Sequence, residues 1–178
     1  MFLLKQNLVS EKTGCLHTKK IIMENNEQII HRFYQAFQKL DYKTMQDCYS
    51  SDVVFLDPVF GLLQNGQPQA MWEMLCTKAN SFSLTYGNII LIDDEYASCE
   101  WVATYLFSAS NRKVVNKIKA HLRIVDGKIT EHTDQFNLYR WSRQALGLPG
   151  ILFGWTSFMQ NKIRRNALNN LQKFMQAQ

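Results

Sequence analysis

The stretch Cys48-Tyr49-Ser50-Ser51-Asp52-Val53-Val54-Phe55-Leu56-Asp57-Pro58-Val59-Phe60-Gly61 reads as a short strand running into a turn. Side chains alternate along a strand, so Val53, Phe55 and Asp57 share one face and Val54 and Leu56 the other. Asp57 therefore continues an apolar row. A carboxylate there is either desolvated, with a raised pKa, or it needs a partner. Pro58 holds Asp57 extended and supplies no backbone N–H. Asp-Pro is also a common turn opener, which leaves a purely local role for Asp57 as the second reading.

Upstream, Asn25 to Leu40 has a helical period, with Ile29, Ile30, Phe33, Phe37 and Leu40 on one stripe. Asn25 or Asn26 is the expected cap. Asp41 is expected to cap a second helix, Tyr42–Tyr49, with Met45 and Cys48 inward. Downstream, residues 61–66 form a turn-rich bridge with room for a small hairpin. Pro68 suits an early helical position, and the helix Gln69–Ala79 turns Met71, Trp72 and Leu75 inward.

Four strands are expected next: Ser81–Ile92, Tyr96–Ser108, Lys113–Val125 and Ile129–Tyr139. The Asp126-Gly127 turn between the last two is the strongest hairpin signal in the chain. Val114, Ile118, Ala120, Leu122 and Ile124 point one way; Lys113, Lys117, Lys119, His121 and Arg123 point the other. Such a sheet is antiparallel, with one face wet and cationic. In the last strand Thr130, His132, Asp134, Phe136 and Leu138 share a face whose apolar end puts His132 and Asp134 inside. Trp141–Gly150 is read as a bend. Ile151–Ala177 is read as one long helix with the stripe Leu152, Trp155, Phe158, Met159, Ile163, Ala167, Leu171 and Phe174. At about 1.5 Å per residue it spans roughly 40 Å, so part of it should overhang the domain or meet a second chain.

The 178 residues fit one domain with an appendage, and 46% apolar content suffices for a core. The net charge of +5 is mildly basic, but no nucleic-acid motif accompanies it, so no nucleic-acid partner is expected. Cys15, Cys48, Cys76 and Cys99 are scattered, as in reduced thiols of a cytoplasmic protein, three of them buried. No run is apolar enough for a span, and the first residues are too polar for a secretory signal. His17, His31, His121 and His132 fall on different elements; no metal set and no cofactor are expected.

Helices first and strands after is an α+β order. Helices packed on a curved antiparallel sheet leave a cone whose mouth can hold a ligand. The run Ile29-Ile30-His31-Arg32-Phe33, then Asp41, then Tyr49 to Val59 resembles the opening of the nuclear transport factor 2-like superfamily. Asp126-Gly127-Lys128-Ile129-Thr130-Glu131-His132-Thr133-Asp134-Gln135-Phe136, followed by Arg143-Gln144-Ala145-Leu146-Gly147, is similar to the last strand of its SnoaL-like members. The resemblance covers roughly Glu24 to Gly147. It divides the chain into a poorly ordered lead-in (1–22), a SnoaL-like domain (23–147) and a C-terminal helical arm (148–178).

The resemblance implies specific roles. In ketosteroid isomerases the Asp of the Asp-Pro-Val motif is the general base, which would be Asp57. That family's oxyanion donors align with Phe33 and Ala120, which cannot donate; Tyr34 is one residue off and points about 100° away. Losing such a donor costs about two to three orders of magnitude in rate, so steroid isomerisation is not expected. SnoaL-like cyclases use a last-strand Asp with a nearby His, matching Asp134 and His132. Limonene epoxide hydrolases need an Asp-Arg-Asp set, which Arg123 on the wet face does not supply.

Asp57, His132 and Asp134 are thus the candidate catalytic residues. Phe33, Phe55, Trp72, Trp101, Tyr105 and Phe136 are the candidate walls of an apolar ligand site. A hydrogen-bonded structural His132, a chain-anchoring Asp134 and purely core aromatics are the competing readings. Two functions stand: a small isomerase- or cyclase-type acid–base enzyme, or a non-catalytic module binding an apolar ligand or a protein. The C-terminal stripe suggests a homodimer, with pocket capping or contact with a membrane surface as the other fates.

Overall fold

In the computed structural model, which describes residues 22, 23 and 25–177, the alternating segments become six strands. They are β1 (Tyr49–Asp57), β2 (Gly61–Leu63), β3 (Ser83–Leu91), β4 (Tyr96–Phe107), β5 (Arg112–Val125) and β6 (Lys128–Gln135). They form one sheet in the order β2-β1-β6-β5-β4-β3. Neighbours are antiparallel except β1 and β6, which are parallel. The expected hairpin turn is present: Asp126 and Gly127 both have positive φ, the conformation that matches the twist of the flanking strands.

The helices are α1 (25–38), α2 (Tyr42–Cys48), α3 (Gln67–Thr77), α4 (Leu138–Leu146), α5 (Leu148–Phe153) and α6 (Ser157–Gln176). Asp41 caps α2 by accepting from the Thr44 amide at 3.1 Å. The lead-in expected over 1–22 lies outside the described residues, apart from Ile22, which is helical. Asn25 and Asn26 are not caps: both lie within the helix, and the Asn26 side chain donates to the Asp94 carbonyl at 2.7 Å. Leu75 faces outward, while Met71, Trp72, Met74 and Cys76 carry the inner side of α3.

Two further expectations are corrected at the C-terminal end. The last strand stops at Gln135, and Leu138–Leu146 is helix, capped by Asn137 accepting from the Arg140 amide at 2.8 Å. Leu138, Trp141 and Ala145 recur at helical spacing and bury one face, which outweighs the Gly and Pro that follow. The long helix is broken: α5 ends before Gly154, and Thr156 caps a separate α6 by accepting from the Met159 amide.

The core is one large apolar cluster between α1, α2, α3 and the inner sheet face, joined by a smaller one of Val114, Leu138, Trp141, Ala145 and Ile163. Val59, Tyr105 and Phe136 pack against both. α6 docks on its own chain: Ile163 is buried in the small cluster, Leu171 in the large one, and Arg164 donates to the Pro58 carbonyl at 3.1 Å. Burying each such aliphatic side chain contributes about 2 kcal/mol. The inner half of the expected stripe therefore belongs to the fold, and the half before Met159 stays outside.

Candidate active site

Strands β1 and β6 place the site. Their parallel register sets Phe55 beside His132 and Leu56 beside Thr133, so its continuation brings Asp57 beside Asp134. Side chains alternate, and Val53, Phe55, His132 and Asp134 all point into the core. On β5, His132 faces Leu122 and Asp134 faces Ala120.

The polar groups form a chain through the core. Trp72 Nε1 donates to the Tyr49 hydroxyl at 2.8 Å, and that hydroxyl lies 2.7 Å from His132 Nδ1. His132 Nε2 lies 3.1 Å from Asp134 Oδ1, which also accepts from Trp101 Nε1 at 3.2 Å. The donor inventory sets the direction. Indole N–H can only donate, so the Tyr49 oxygen accepts there. The Asp134 carboxylate can only accept, so the proton of a neutral imidazole sits on Nε2 and Nδ1 accepts the Tyr49 proton. Around the imidazole stand Phe55 at 5.1 Å, Phe33 at 5.6 Å and Trp72 at 6.1 Å between centroids.

Asp57 ends β1, two residues before Val59, which packs against both apolar clusters. It is half-buried, and its carboxylate accepts from the Phe60 amide, so the local turn role is real. Burial nonetheless raises its pKa from 3.8 to about 7, with the negative Asp134 adding to the rise and the turn amides opposing it. The charge of Asp57 is felt at Tyr105, whose hydroxyl accepts from Trp141 Nε1 at 2.8 Å.

The residues expected to act together are thus brought together. Asp57, His132 and Asp134 share one face, with Phe33, Phe55, Trp72 and Trp101 packed around the His–Asp pair and Tyr105 and Phe136 at the cluster junction. Arg123 lies outside, paired with Glu95 at 2.8 Å and Glu131 at 3.1 Å. An open groove of about 530 Å³ lined by His31, Arg32, Gln35 and Lys39 lies on the outer side of α1 and α2, away from these carboxylates.

Two tyrosines take places the sequence does not predict. Tyr49, expected as the last residue of the second helix, opens β1 and is the relay of the chain. Tyr34 is fully buried although it lies 100° from Phe33, because the buried face of α1 is wide enough for Ile30, Phe33, Tyr34 and Phe37 together. Its ring stacks on Tyr86 at 5.2 Å and lies 6.1 Å from Trp101. Its hydroxyl has no hydrogen-bond partner among the described residues. Burial first, and then the charge of Asp134, hold its pKa well above the usual phenol value.

A model of the SnoaL-like domain matches residues 30–132, more than half of the chain. No curated protein matches it. Among solved structures, a candidate polyketide cyclase from Xanthomonas campestris is 17% identical with a TM-score of 0.58, covering 70% of this chain and 98% of its own. A Catenulispora acidiphila protein with a ketosteroid isomerase-like fold, solved with trimethylamine, is 15% identical with a TM-score of 0.60 over 69% of this chain and 95% of that one. An LEH-like epoxide hydrolase from M. tuberculosis is 18% identical with a TM-score of 0.59 over 72% and 96%. At such identities these likenesses speak for the fold.

Proposed function

The chain belongs to the SnoaL-like domain family, and from that premise we propose that it is a cofactor-independent acid–base enzyme of the isomerase or cyclase type, acting on an apolar ring-bearing ketone. The observation that carries this reading is the state of Asp57. A half-buried carboxylate with a pKa near 7, next to a second carboxylate, can both take and return a proton at neutral pH. Asp57 would remove a proton from the carbon beside the carbonyl. The electron pair moves to oxygen as an enolate, and the same proton returns at another carbon.

Asp134 and His132, assigned the acid–base role from sequence, fit a supporting part better. Asp134 already accepts from two donors, and its charge lifts the Asp57 pKa. The Tyr34 hydroxyl, buried without a hydrogen-bond partner and near enough to Asp134 to feel its charge, would be a donor for developing negative charge. One observation favours the non-catalytic alternative: Trp72, Tyr49, His132, Asp134 and Trp101 satisfy one another, as a structural network would.

The test is exchange of α-protons of cyclic ketones in deuterated water, followed by NMR with the full chain. Wild type should accelerate exchange, and Asp57→Asn should lower the rate by about two to four orders of magnitude. No exchange above buffer across aliphatic and fused-ring ketones would overturn the enzymatic reading in favour of the binding module.

A further inference from the structure

We infer that the face formed by α5 and the first turn of α6 docks on an anionic phospholipid surface. Leu148 is 72% exposed, Trp155 67% and Phe158 71%, and Ile151, Leu152 and Phe153 are each more than two-fifths exposed. Six large apolar side chains on one short stretch form a patch that proteins in water rarely leave uncovered.

The patch is held rigidly. A Cβ on Gly150 would stand 1.9 Å from the Ser142 carbonyl oxygen, and one on Gly154 2.0 Å from the Ser142 Oγ. α5 is thereby held against α4 with its apolar side turned out. Several of its backbone groups are occupied as well. The Ile151, Gly154 and Thr156 amides donate to Gly147, Gly150 and Phe153 carbonyls, Tyr139 donates to the Ile151 carbonyl, and Trp155 to the Leu152 carbonyl. Backbone groups already paired lose less on leaving water for the edge of a bilayer.

Charge selects the partner. From Gln135 to Gln178 the chain carries Arg140, Arg143, Lys162, Arg164, Arg165 and Lys173 and no Asp or Glu. Arg140, Arg143, Lys162 and Arg165 are exposed, the first two on α4, against which α5 packs, and the last two on α6, which carries Phe158. A two-fold contact with a second copy would set this cationic surface against itself. Anionic headgroups complement it, with Trp155 and Phe158 at headgroup depth. No helix among the described residues is long and apolar enough to cross a membrane, so the segment would lie on the surface.

The experiment is flotation of the full chain with vesicles of phosphatidylcholine containing roughly a third phosphatidylglycerol, and with phosphatidylcholine alone. The protein should float with the anionic vesicles only, with a blue-shifted tryptophan emission, and raised salt should release it. Trp155→Ala with Phe158→Ala should weaken binding by about tenfold or more. Arg143→Gln and Arg165→Gln should each weaken it by about fivefold, and these exposed changes leave the core intact. Absence of flotation with anionic vesicles overturns the inference. So does undiminished flotation of the Trp155→Ala, Phe158→Ala variant, or a dimer in sedimentation that the same variant converts to monomer.

Discussion

The Tyr49 hydroxyl and His132 Nδ1 meet at 2.7 Å although the residues are 83 apart in sequence. That one bond orders the whole buried chain, because it decides which imidazole nitrogen faces Asp134. Tyr49→Phe would leave both the Trp72 N–H and His132 Nδ1 unpaired in the core. The expected loss is about 2 to 4 kcal/mol in urea unfolding, with the slope of the transition unchanged. A variant as stable as wild type would show that the ring re-pairs elsewhere.

Asp57 should make stability fall as pH rises. Its pKa is raised in the folded chain from 3.8 to about 7, so the folded state holds more protons than the unfolded one between those values. Its contribution is most favourable below about pH 4 and is lost progressively up to about pH 7. Asp57→Asn should flatten that part of the profile of thermal midpoint against pH. Catalysis runs the other way: a base that ionises near 7 gives a rate rising through that pH. A variant whose midpoint keeps the wild-type slope would remove Asp57 from both effects.

The close approach of α5 to α4 depends on glycine. In Gly150→Ala the new methyl meets the Ser142 backbone, which cannot turn aside as a side chain would. The cost should be about 1 to 3 kcal/mol by chemical denaturation, whereas Leu148→Ala on the exposed face should change little. Equal effects of the two substitutions would count against the packing described for α5.

How legible all this was in the sequence differs from residue to residue. The inward facing of His132 and Asp134 followed from period-two alternation, which a strand enforces at every step. The place of Asp57 in an apolar row left a raised pKa and a partnered carboxylate both open, and the fold shows the raised pKa together with the turn bond to Phe60. The extent of β6 and the break at Gly154 were not legible. There, Gly147, Pro149 and Gly150 read as a bend, and only tertiary contact with Ser142 shows why glycine is needed at 150 and at 154. The Tyr49 partner of His132 was illegible for a related reason: it reaches the imidazole through the parallel pairing of β1 with β6, which no local pattern announces, and Trp72 joins from α3.

Tyr34 offers the sharpest separation of structure from function. A fully buried hydroxyl without a partner costs about 1 to 3 kcal/mol relative to a satisfied one. If the fold were its only reason, phenylalanine would serve better, since the ring stacking on Tyr86 and the edge contact with Phe33 need no oxygen. Tyr34→Phe should therefore be neutral or stabilising by up to about 1 kcal/mol in urea unfolding. In the proposed enzyme it should also lower the ketone exchange rate by about two to three orders of magnitude, as loss of an oxyanion donor does. Gain of stability with loss of rate would identify a group kept for its ligand. Gain of stability with no loss of rate would remove Tyr34 from the site and leave Asp57 to act without that donor.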